Sequence, residues 1–191
     1  MSQLAGALLW TLFAALAPAI QAADPLYVSA RHKLDIIEQR KVPRGSSVLF
    51  SVAEINAWVR NRLPELIPAG IREQRVELGT DTATGFALID FLKLRHAQGQ
   101  QSGWLLTKLI EGERQVKVNI RIQSSGGKCT VFLTRVQIGV AVASGTLLDI
   151  LLKTFFLPLY PDSKINEAFE LDYDIERIEI RPAGVRVLIK R

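Results

Sequence analysis

The stretch RQVKVNIRIQ, residues 114–123, decides the fold. Val116, Val118, Ile120 and Ile122 share one face, while Lys117, Asn119, Arg121 and Gln123 share the other. That period of two is the mark of a β-strand with one apolar side. SSGGK follows at residues 124–128, where Gly126 and Gly127 can take positive φ without a Cβ penalty, so the chain turns back as a hairpin. Residues 129–142 then read as one long returning strand, apolar on both faces toward its end.

Working outward, the same order recurs. Residues 46–50 predict a short strand, and Ser51 with Glu54 forms a capping box that starts a helix at Val52. Ile55, Val59 and Leu63 line one stripe with Trp58 beside it, and Pro64 predicts the end of that helix. Residues 75–78 and 86–95 predict two strands around a turn at GTDTATG, residues 79–85. On the second of these, Phe86, Leu88 and Asp90 face one way and Ala87 and Ile89 the other.

A short helix is predicted over residues 104–110 and a very apolar one over residues 146–157. Strands at residues 174–180 and 185–190, joined by Arg181-Pro182-Ala183-Gly184, close the chain. Helix, strand, strand therefore appears three times. The expected class is α+β, a curved antiparallel sheet of about six strands in hairpins, wrapped around or covered by two to three helices.

The ends of the chain have a different character. Residues 4–20, LAGALLWTLFAALAPAI, are apolar and precede the small residues Ala22 and Ala23. Residues 1–22 are read as a signal peptide or as an uncleaved anchor. Either implies an exported, periplasmic or extracytoplasmic protein. Residues 23–45 read as a basic linker or lead-in segment, and residues 46–191 as one domain.

With 191 residues, 48% of them hydrophobic, the chain is too apolar for a disordered protein. The formal net charge is +5, which favours anionic partners such as lipid head groups. Arg31, Lys33, Arg40, Lys41 and Arg44 form the basic cluster assigned to a head-group or anionic surface. Nucleic acid is not expected, because export separates the protein from it. One cysteine, Cys129, excludes an internal disulfide, and two histidines, His32 and His96, leave little for metal or acid–base work. There is no nucleophile elbow, phosphate loop or metal spacing. No catalytic residue, metal or cofactor is expected, and Asp90 reads as a sheet-edge or paired carboxylate.

Four stretches together resemble small exported or membrane-anchored bacterial proteins of the tubular lipid-binding (TULIP-like) type. They are FSVAEINAWV at residues 50–59, PAGIREQRVEL at 68–78, GWLLTKLIEGERQVKVNIRI at 103–122 and IERIEIRPAGVRVLI at 175–189. The chain departs from that type in its short helices. The resemblance implies a strongly curved antiparallel sheet around a helix, with lipid tails in the gap. The expected lining is Trp58, Phe86, Leu88, Phe91, Trp104, Leu109 and Val131, then Leu147, Leu148, Leu151, Phe155 and Phe156. The expected function is lipid binding or lipid handling, with a lipid or membrane surface as partner. A non-catalytic envelope assembly or protein-interaction module is the alternative, with an envelope protein as partner.

Overall fold

The computed structural model describes residues 24–66, 70–90, 93, 112–153 and 164–191. The apolar run at residues 4–20, the helix expected at 104–110 and the end of the one expected at 146–157 lie outside them. Among the described residues no helix is long and apolar enough to cross a membrane.

The protein is α+β, with antiparallel hairpins and three helices among the described residues. Helix α1 (Pro25–Glu38) occupies most of the segment expected to be a linker or lead-in. Asp24 caps it by accepting from the Leu26 amide at 2.9 Å, and Pro25 begins it with a φ already helical. Ala30 and Ile37 are buried with Leu34 between them, the spacing of one helical stripe.

Strand β1 (Ser47–Ser51) leads directly into α2 (Val52–Leu66). The capping box is present in both directions. The Glu54 amide donates to Ser51 Oγ at 3.2 Å, and the Ser51 amide donates to Glu54 Oε2 at 2.8 Å. Pro64 does not stop α2, which continues to Leu66. Pro64 withholds the amide that would bond the Arg60 carbonyl, but not the amides of the two residues after it, and the helix ends at the second of these.

Strands β2 (Ile71–Leu78), β3 (Thr82–Asp90), β4 (Glu113–Ser125), β5 (Lys128–Ile138) and β6 (Ala141–Ser144) pair in that order. β7 (Ala168–Glu170) is the sixth strand of this sheet. It shares the far edge of β5 with β6, each at one end. Two expectations about length are corrected. The β2–β3 turn is shorter than residues 79–85, because β3 already begins at Thr82. The single strand expected over residues 129–142 is broken by a turn at Gly139 and Val140 into β5 and β6. Helix α3 (Gly145–Leu151) follows β6.

The last hairpin, β8 (Ile175–Arg181) and β9 (Gly184–Ile189), does not extend this sheet. It joins β1 in a separate three-stranded sheet of order β1-β9-β8. Phe50 lies opposite Val185 and Val48 opposite Val187. Ile37, Val48, Phe50, Val187 and Ile189 form its core, with Leu34 and Ile55 packed on them. β1 and the last hairpin thus share one layer beneath α1 and α2.

The two sheets meet at the β4–β5 hairpin. The Ile178 amide donates to Ser124 Oγ at 2.9 Å, and the Gly127 amide to the Glu176 carbonyl at 2.7 Å. The Asp81 amide donates to the Ile180 carbonyl at 3.1 Å, so the β2–β3 turn docks on β8 as well.

Register assigns two faces to the larger sheet. Ala83, Gly85 and Ala87 of β3 lie opposite Ile120, Val118 and Val116 of β4. Val116, Val118 and Ile120 lie in turn opposite Ile138, Val136 and Leu133 of β5. This is the apolar face. The other carries Thr84 opposite Asn119, Phe86 opposite Lys117 and Arg121 opposite Phe132.

Candidate functional site

The apolar groove between the helix pair and the smaller sheet is the candidate site. Its walls are Ala30 and Leu34 of α1 and Ile55 and Trp58 of α2, and its floor is Phe50, Ile178, Val185 and Val187. Every lining residue is apolar, the cavity volume is about 250 Å³, and the groove is open to solvent. Local sequence explains each wall. Ala30 and Leu34 are four apart on α1, and Ile55 and Trp58 three apart on α2, so each pair lies on one helical face. Ala30 and Ala57 are fully covered, and their small side chains let the backbones approach.

A polar cluster fixes the end of the groove where α1, β1 and α2 converge. Glu54 is 5% exposed. Its Oε1 accepts from Lys33 Nζ and from Ser29 Oγ, each at 2.6 Å, and its Oε2 accepts from Ser51 Oγ at 3.0 Å. Burial alone would push its pKa up. The bonds from Lys33, Ser29 and Ser51 outweigh that and hold it at about 2. Lys33 also donates to the Leu49 carbonyl at 2.7 Å, and its ammonium lies 5.7 Å from the Phe50 ring centre. The cluster can hold the helix pair at a fixed distance from the sheet.

The residues expected at the site are dispersed. Trp58 lines the groove. Phe86 and Leu88 do not share its lining. Phe86 lies on the polar face of the larger sheet, under the Arg75 guanidinium at 3.9 Å and near Lys117 Nζ at 5.4 Å. Leu88 is on the same face, opposite Arg72 and Gln115. Val131 lies opposite Ile122 on the apolar face. Leu148 is buried with Ala143 and Leu152 against Leu133, Val136 and Ile165. That is a packed cluster where a trough beneath the third helix was expected. Leu147 is 53% exposed. Phe91, Trp104, Leu109, Phe155, Phe156 and the Leu151 side chain lie outside the described residues.

The basic cluster separates too. Lys33 is paired with Glu54 at 2.6 Å. Arg40 stands 3.7 Å from Asp174 and shares a small hollow with Arg44. Arg31 and Lys41 are exposed. His32 is exposed, and Asp90 is half-buried with its Oδ2 at 3.6 Å from Lys93 Nζ. His96 lies outside the described residues.

Sequence reasoning missed Leu34, Phe50, Val185 and Val187 as lining residues. The stripe Ala30, Leu34, Ile37 was the available signal on α1. Compared with known proteins, the chain matches no family model, no curated protein and no solved structure.

Proposed function

We propose that the protein binds or handles lipid, holding part of an acyl chain in the groove beneath α1 and α2. The observation that carries this reading is a concave, solvent-open groove lined by apolar side chains alone. Such a surface is costly to leave in water and offers a ligand no directional polar contact, which suits a hydrocarbon chain. A cavity of about 250 Å³ corresponds to about eight water-sized units at roughly 30 Å³ each. A chain segment of that size gains roughly 6 kcal/mol from burial at ~0.8 kcal/mol per methylene, before association costs. A shallow site of this kind exchanges its chain rather than storing it.

The reading is non-catalytic and places the protein outside the cytoplasm, in keeping with the apolar N-terminal run. It also keeps the TULIP-like resemblance as a proposal about kinship. Native mass spectrometry of protein extracted from membranes tests it. Adducts with masses of fatty acid or phospholipid support the reading. Lipid-free protein carrying one stoichiometric protein partner instead favours the assembly-module alternative.

A further inference from the structure

We propose that the polar face of the larger sheet docks on an anionic bilayer, with the Gly139–Val140 tip entering the interface. The charge pattern comes first. Arg72 pairs with Glu113 and Arg75 with Glu77, so those cations are neutralised on the protein. Lys117, Arg121 and Arg135 have no carboxylate partner among the described residues. All three sit on one face by register: Lys117 opposite Gln137, Asn119 opposite Arg135, and Arg121 opposite Phe132. Arg121 lies 4.7 Å over the Phe132 ring, a cation–π contact on this face. Lys117, Asn119, Thr134, Arg135 and Gln137 line one shallow open depression between these charges.

The apolar pattern is independent and selects a bilayer over a soluble polyanion. Among the described residues, Val140 is 100% exposed, Val142 40% and Leu147 53%. Val140 stands at the β5–β6 turn and Val142 two residues on in β6, whereas Leu147 belongs to α3, which packs on the opposite face. Val142 lies opposite Gln137, on the same face as the unpaired cations. Exposed apolar side chains next to cations match the two layers of an anionic membrane interface. A soluble polyanion would gain nothing from Val140. The proposal extends the lipid-handling reading by naming the surface that brings the groove to its source.

The test is partition of the full chain onto phosphatidylcholine vesicles with and without phosphatidylglycerol. The apolar stretch at residues 4–20 is present throughout, so differences between variants report the sheet face. The parent should partition more strongly onto the anionic vesicles, and less so as salt shortens the Debye length from about 10 Å to about 3 Å. The triple variant Lys117→Glu, Arg121→Glu, Arg135→Glu should lose at least about a hundredfold, at roughly fivefold or more per cation. Val140→Glu should lose roughly tenfold, and being fully exposed it leaves the fold intact. If the triple variant does not fold, Arg135→Glu combined with Val140→Glu replaces it, since both side chains are exposed. Partition equal to the parent in the charge or the Val140 variant overturns the proposal. Displacement of the parent by inorganic polyphosphate, with Val140→Glu unchanged, reassigns the face to a soluble polyanion and overturns it equally. Failure here leaves occupancy of the groove untouched, because none of these residues lines it.

Discussion

The Asn56 side chain clamps the backbone of Val76 from both sides. Nδ2 donates to the Val76 carbonyl at 2.9 Å, and the Val76 amide donates to Oδ1 at 2.7 Å. An amide side chain on α2 thereby stands in for a neighbouring strand at the outer edge of β2. It ties the helix that walls the groove to the larger sheet, and it occupies hydrogen-bonding groups that an edge strand would otherwise present to another chain.

Asn56→Ala should therefore destabilise the protein by about 1–3 kcal/mol, because it leaves a half-buried amide and carbonyl unpaired. Asn56→Asp should lose a similar amount, since a carboxylate can accept from the Val76 amide but cannot donate to its carbonyl. Urea denaturation followed by circular dichroism measures both. Stability equal to the parent in both variants would show that the clamp contributes nothing.

Glu54 makes the fold sensitive to acid. Its folded pKa of about 2 lies below the ordinary 4.5, so the unfolded chain takes up the proton first as pH falls. The stabilisation is complete above about pH 5 and is lost progressively down to pH 2, amounting to roughly 3 kcal/mol. Glu54→Gln should lower stability at pH 7 and flatten its pH dependence over that window. Thermal melts from pH 7 to pH 2.5 distinguish the two profiles, and parallel profiles would contradict the assignment.

Gly184 closes the smaller sheet. Its φ is +155°, and a Cβ there would meet the Phe50 carbonyl oxygen well inside van der Waals contact. Gly184→Ala should cost about 2 kcal/mol or more, because the obstacle is backbone that cannot move aside. Gly85, in the middle of β3, has nothing within 4 Å of the same atom. Gly85→Ala should be neutral or stabilise by up to about 1 kcal/mol. Equal midpoints for the two variants in chemical denaturation would contradict this.

Cys129 is buried, and burial pushes its thiol pKa up. Its reaction with a thiol reagent at pH 8 should be slower in the native protein than in urea by two orders of magnitude or so, because the thiolate and its access are both suppressed. Equal rates would place the sulfur at the surface.

Much of this architecture was legible where local chemistry decides it. Ser51 and Glu54 announced the α2 cap, the alternation of residues 116–123 announced β4, and Gly126-Gly127 announced the hairpin. The limits were of another kind. The turn at Gly139 and Val140 carries a single glycine inside an apolar run, with no cluster of turn residues. Pro64 marks the helix end only to within two residues, because it withholds its own amide and not those of the residues that follow. Most of the groove was invisible because it depends on β1 pairing with β9, more than 130 residues away. Period-two alternation gives each strand its faces but does not choose its partner. Phe86 shows the same limit: its apolar character was plain, but not that Arg75 and Lys117 would cover its ring.

The central claim is that hydrocarbon enters the groove beside Trp58, and quenching of that residue by a bromine-labelled fatty acid tests it most directly. The chain has three tryptophans, so the parent is compared with Trp58→Phe. The account predicts saturable quenching in the parent that is absent from Trp58→Phe, and that is weakened by a bulky polar residue at Leu34, as in Leu34→Gln. Quenching of equal depth in parent and Trp58→Phe, or none at all under conditions where the protein is folded, would contradict it.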